Sequence, residues 1–384
     1  MTARRKLFFV FVFVLIAALA AAVWKFVPWT RQGWTGARIA GPATVAVQPQ
    51  QVWIETDHRG LQALNFDFVV ENQGPTPLGI DKIEVLAFDA AGALLARRHI
   101  DASGFSPAML TIPGREVAVH GKSLVFNPFH QWPADMPLHK LVYRFEMSII
   151  GEAPETVATV TVEPRRHEGR TALSLPLRGP LLVHDGHDFL AHHRRLDTEH
   201  PVARQFGLTQ NFMRYALDLN TTDAEGRPFA GEGARNADWA AWEQPVLAPA
   251  DGVVADAGDG EPDNERGQPS HFNPEALKAT PMKFYGNYVV IDHGNGEFSL
   301  LGHVRQGSVQ VKKGDRVQRG QAVAKVGSSG SSHNPHLHYE LRTGATLAVE
   351  GLPARFDGFE RLLGAQRVPV QRGSSDSGDR VQAP

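Results

Sequence analysis

The chain has 384 residues, enough for more than one domain, and its 42% hydrophobic and 21% charged residues are the proportions of a folded protein. A formal net charge of -2 builds no basic field for nucleic acid, and no nucleic-acid partner is expected. The absence of cysteine excludes disulfides, thiolate metal sites and cysteine nucleophiles, so any metal must be held by histidine and carboxylate.

Arg4, Arg5 and Lys6 precede an unbroken apolar run over residues 7–24, which Lys25 closes. A positive flank and a run of this length fit a membrane anchor, or a signal peptide cut near Ala20, Ala21 and Ala22. In the anchor reading, everything after Lys25 lies across the membrane. Residues 26–43 read as a linker, interrupted by Pro28, Gly33, Gly36, Gly41 and Pro42. From residue 44 to 168 the pattern becomes short strands, at 45–47, 51–55, 64–71, 82–90, 94–100, 116–126, 138–150 and 156–162. Turn clusters such as Asn72-Gln73-Gly74-Pro75 separate them, as in an immunoglobulin-like β-sandwich acting as spacer or recognition module.

Beyond Arg170 histidines crowd together at His184, His187, His192, His193 and His200. Next, Tyr215, Leu217 and Leu219 alternate with Ala216 and Asp218, so Asp218 faces away from the larger apolar side chains. Strand, turn and strand follow over 245–254, and a hairpin over 287–303 turns at Gly294-Asn295-Gly296. Two insertions, 221–243 and 256–283, read as surface loops walling a groove. A Gly/Ser turn then delivers the chain into His336-Leu337-His338, whose two imidazoles share one strand face. That arrangement suits two metal ligands, or one ligand with a base beside it. Glu340 shares the face, either orienting an imidazole or standing as a surface carboxylate.

A series of motifs follows in order: Ala248-Pro249-Ala250-Asp251-Gly252-Val253-Val254, the run from Gly286-Asn287-Tyr288 to Asp292-His293-Gly294, Gly302-His303, Gly314-Asp315-Arg316-Val317, Gly320-Gln321, and Val326-Gly327-Ser328-Ser329-Gly330 with Pro335-His336-Leu337-His338. Together they resemble the LytM/lysostaphin-type zinc endopeptidases. The resemblance implies a zinc enzyme that hydrolyses the peptide cross-links of bacterial peptidoglycan. Its substrate would be the peptide stems, and its place the cell envelope outside the cytoplasmic membrane, anchored through residues 7–24. It also implies His338 as a zinc ligand, His336 and His303 as catalytic histidines around a metal-activated water, and Asp218 as the carboxylate of the family's His-x-Gly-x-Asp. Here the chain departs, with Arg214 at the histidine and Ala216 at the glycine, and a guanidinium cannot ligate a cation. A branch of the family carries an earlier His-His-Arg-Arg, to which His192-His193-Arg194-Arg195 is similar. This implies His193 as the third ligand, with His192 and His200 as alternatives. The competing reading is a catalytically inactive relative that binds the wall or regulates another hydrolase.

The expected architecture is therefore mainly β: an N-terminal membrane-anchor helix (1–25), an immunoglobulin-like β-sandwich (44–168), and a LytM-type β-barrel-like peptidase domain (171–368). A tail, 369–384, reads as too poor in apolar residues to order.

Overall fold

The computed structural model describes residues 41–56, 59–101, 115–149 and 152–383. The expected anchor over 7–24 lies outside them, and among the described residues no helix is long and apolar enough to cross a membrane. Ala40–Pro384 forms one compact unit.

In the first half, Ala43–Gln48, Asp67–Asn72 and Lys122–Phe126 form a three-stranded sheet, while Glu152–Val162, Lys140–Ile149, Leu78–Phe88 and Leu94–Asp101, with Glu116–Val117, form a five-stranded one. Strict alternation explains the core between them. Leu141, Tyr143, Phe145 and Met147 all point inward from one strand and join a core with Phe68 and Val70 from the other sheet and Phe66 just before it. The rings of Phe68 and Phe145 pack edge to face at 5.0 Å between centroids. A third sheet, from Trp53–Thr56, Leu61–Leu64, Gln131–Pro133 and Arg165–Arg166, flanks this core. The single strand expected over 64–71 is split, with Asn65 and Phe66 linking two different sheets.

The second half is built on an eleven-stranded sheet in the order Arg316–Val317, Gly252–Gly258, Asn287–Asp292, Phe298–Val304, Leu337–Arg342, Leu217–Thr221, Pro180–Asp185, Arg380–Gln382, Phe356–Leu363, Gln366–Gly373, with Gly351–Leu352 paired beside Leu337–Arg342. Pro245–Leu247 and Ala322–Lys325 pair separately and share its core, where Leu217, Leu219, Val289, Leu337, Tyr339 and Val323 are buried. Among the described residues no pairing joins the two ends of the strand order, so the sheet is open where the sequence suggested barrel-like closure.

One expectation is corrected and one is extended. The tail is ordered: Arg380–Gln382 pairs on both sides, with Pro180–Asp185 and with Phe356–Leu363, and Val381 is fully buried. One well-placed valine flanked by ladder hydrogen bonds outweighs the low apolar content around it. The insertion over 256–283 does more than wall a groove. Buried Asn264 donates to the carbonyls of Gly330 and Ser332 at 2.9 and 2.8 Å, and Asp263 accepts from the Ser328 amide at 2.7 Å. Both therefore fix the Gly/Ser turn that leads into His336.

Candidate metal centre

The site is a row running across neighbouring strands. Antiparallel register sets Asp185 opposite Asp218, Asp218 opposite His338, and His338 opposite Gly302. Directly opposed residues bring their side chains to within a few ångströms, so four strands deliver Asp185, Asp218, His338 and the neighbourhood of His303 to one level. His303 is aimed by a bulge, because Gly302 and His303 stand where the partner strand has only Tyr288 between Asn287 and Val289. Its φ of 59° is the left-handed region that a non-glycine residue seldom adopts.

One carboxylate oxygen is the focus. Asp218 Oδ1 lies 2.9 Å from His338 Nδ1, 3.4 Å from His193 Nε2 and 3.4 Å from His336 Nε2. Each imidazole is turned by a hydrogen bond from its other nitrogen. His193, His303 and His336 donate Nδ1–H to the carbonyls of Gly186, Ser329 and Asn334, each at 2.8 Å, which leaves Nε2 bare. His338 is reversed: Nε2 faces Glu340 Oε1 at 2.9 Å, and Nδ1 is the atom turned to Asp218. Glu340 is buried and is itself held by the Tyr285 hydroxyl at 2.7 Å and by Arg342 at 3.0 Å. Of its two readings the structure selects the one that orients an imidazole.

The electrostatics follow. Burial pushes His193 below its ordinary value. It also holds His303 well below the usual histidine range, with His336 and His338 adding to the effect. Asp218, although burial opposes its charge, is kept far below the ordinary carboxylate range by His193 and His336. Burial likewise opposes charge on His338, but its hydrogen bonds to Asp218 and Glu340 push it up to about 9. A nitrogen lone pair cannot face a carboxylate at 2.9 Å without a positive charge between them, so this pair requires a proton or a metal cation.

A divalent metal fits these residues. His193 Nε2 is fully buried and has no hydrogen-bond partner. His193 Nε2, Asp218 Oδ1 and His338 Nδ1 are two imidazoles and a carboxylate, and the two spacings to Asp218 Oδ1, 3.4 and 2.9 Å, are close to the ~3.3 Å edge of a tetrahedron built on ~2 Å bonds to zinc. Asp185 and His192 stand beside them, ligand atoms of Asp185, His192, His193 and Asp218 all lying within 4.8 Å of one another. The stretch holding His192 and His193 is a turn, and both imidazoles reach the site. The two differ in burial, since the His192 side chain is 63% exposed and pairs with Asp185. His200 is elsewhere, capping the short helix Pro201–Gln205 through its ring nitrogen. Asp185 was not foreseen. Its only signal was its place at the end of an apolar strand one register step from Asp218. In front of the row is an open pocket lined by Asp218, His303, His336, His338, Met213 and Phe284.

Residues 234–349 match the family described as Peptidase family M23. This segment, inside the second half of the chain, is similar to that family. The chain is similar to the peptidoglycan DD-endopeptidase ShyA of Vibrio cholerae serotype O1, with 47% identity over 58 residues, 15% of this chain and 13% of that protein. It is also similar to the murein hydrolase activator EnvC of Escherichia coli K12, with 45% identity over 61 residues, 16% of this chain and 14% of that protein. These alignments thus span only about a seventh of the curated relatives' length. Among solved structures, the catalytic domain of the prophage-encoded M23 protein EnpA from Enterococcus faecalis aligns at 24% identity, covering 35% of this chain and 88% of that one with a TM-score of 0.22. Of the residues in the site, His303, His336 and His338 fall inside the M23 match, whereas His193 and Asp218 precede it.

Proposed function

We propose that this chain is a zinc-dependent endopeptidase that cleaves peptide cross-links of bacterial peptidoglycan. The observation that carries the reading is the convergence of His193 Nε2 and His338 Nδ1 on one oxygen of Asp218 beneath an open pocket. These three would hold the metal, leaving a coordination position toward the pocket, as in catalytic rather than structural zinc sites. Zinc, when bound, supplies Lewis-acid polarisation of the scissile carbonyl and acidifies a water.

The chain's own groups provide the rest. His336, with Nδ1–H committed to Asn334, presents a bare Nε2 that accepts the proton of the attacking water. His303, also bare at Nε2, borders the same pocket with its ring 5.0 Å from that of His336, and relays to the leaving amine the proton that His336 took from the water. Asn264 and Asp263 hold the turn before His336, so its imidazole is placed before substrate arrives. The apolar run over 7–24 is assigned to hold the protein at the outer face of the cytoplasmic membrane, where its substrate lies.

Metal analysis and digestion of purified peptidoglycan test this together. The wild-type chain should carry close to one zinc and release cleaved cross-links. His336→Ala should keep the metal and lose activity by about 100-fold or more, while Asp218→Ala and His338→Ala should lose both. Metal retained in all three variants would refute the assignment. The similarity to a murein hydrolase activator supports a second reading, a non-catalytic module that stimulates another hydrolase. That module would leave peptidoglycan intact alone and would act on an added hydrolase equally well as His336→Ala.

A further inference from the structure

His193 and Asp218 lie on different segments, and the stretch around His193 is a succession of turns with no strand ladder to fix it. What fixes it comes from the other half of the protein. Asp67, at the start of Asp67–Asn72, is 1% exposed. Its Oδ1 accepts from Arg194 Nη1 at 2.6 Å and its Oδ2 from Arg214 Nη1 at 2.6 Å. Arg194 also donates to the Phe66 carbonyl at 2.7 Å, and Arg214 donates through Nε to Glu350 at 2.5 Å. Two acids and two bases thus form a buried, charge-balanced group that crosses the seam between the two halves.

The positions of the two arginines matter more than their number. Arg194 immediately follows His193, and Asn211 ties the same peptide by donating to the His193 carbonyl at 3.0 Å. Arg214 enters the strand that delivers Asp218, and occupies the place where the resemblance expects a ligand histidine. One carboxylate therefore holds, by its two oxygens, the two segments that carry two of the three metal-binding side chains.

We propose that Asp67 is a positioning residue for the metal centre, setting His193 and Asp218 at the right separation from outside the M23 match, and that Arg214 serves as its tie in place of a ligand. This rests on the zinc reading above. Without the Asp67 charge the two guanidinium groups are buried with one carboxylate between them, and their segments are driven apart. Loss of a partner that orients metal ligands typically weakens metal binding 10- to 100-fold.

The test uses the full chain and measures Co²⁺ and Zn²⁺ affinity by chelator competition, together with the visible spectrum of the Co²⁺ form and the melting temperature. Asp67→Asn should weaken metal binding about 10- to 100-fold and alter the Co²⁺ spectrum. Phe145→Leu, in the core where its ring packs on Phe68, should lower the melting temperature and leave affinity and spectrum unchanged. Asp67→Glu should recover part of the affinity. If Asp67→Asn does not fold, Arg194→Lys, which keeps the charge but loses the fork to Phe66, is held to the same criterion. Wild-type affinity in these variants, or an equal loss in Phe145→Leu, overturns the positioning role. A wild-type chain that binds no metal overturns this inference and the zinc reading together, whereas wild-type binding with unaltered Asp67→Asn overturns only the former.

Discussion

At the residue scale, the ring nitrogen that each histidine commits to a neighbour decides what the other can do. Around the pocket, His193, His303 and His336 spend Nδ1 on backbone carbonyls, and His338 spends Nε2 on a carboxylate. A carboxylate behind an imidazole makes it a stronger donor to a metal and fixes its plane. Glu340 can do this because Arg342 and Tyr285 share the cost of its burial. The variant Glu340→Gln keeps the volume but removes the charge and sets an amide N–H against one of three donors. Metal affinity should fall about 10- to 100-fold, and stability by about 3 to 5 kcal/mol because Arg342 loses its partner. Chelator competition and denaturant unfolding measure the two separately. Unchanged metal affinity would show that His338 is held by Asp218 alone.

At the scale of elements, short apolar runs bounded by turn residues were enough to find most strands, including 287–303 and the His336/His338 strand, which are buried on both faces. Alternation also singled out Asp218, since a polar residue in an otherwise apolar strand stands out, whereas His303 came from the family resemblance alone. These patterns failed where few residues carry the pairing. The last strand, Arg380–Gln382, has a single apolar anchor, and no pattern in a Ser/Asp/Gly-rich stretch announces it. Val381→Asp separates order from disorder at this element. A carboxylate in a fully buried position between Leu181 and Arg361 should cost about 3 kcal/mol or more. A solvated tail would change stability by less than about 0.5 kcal/mol. Urea unfolding midpoints of the two chains decide between them.

At the scale of the whole molecule, the seam between the halves is made of buried charges, and these were the least legible feature of all. Nothing local in Asp67, Arg194 or Arg214 says that they meet, because their partnership is a contact across some 130 to 150 positions of sequence. The same seam holds a second pair that reports on pH. His187, buried against Glu55 of Trp53–Thr56 at 2.9 Å, is opposed by burial but pushed up to about 9 by the charge and hydrogen bond of Glu55. An unfolded histidine titrates near ~6.5, so the folded state binds this proton more tightly than the unfolded chain does. The stabilisation is then complete below about pH 6.5 and is lost as pH rises through about 9. Replacing His187 by glutamine should therefore cost most at about pH 6, by up to about 3 kcal/mol, and progressively less toward about pH 10. The quantity to follow is the difference in unfolding free energy between wild type and His187→Gln across that range. A difference that stays constant with pH, or grows as pH rises, would show that His187 does not enter the folded seam as a cation.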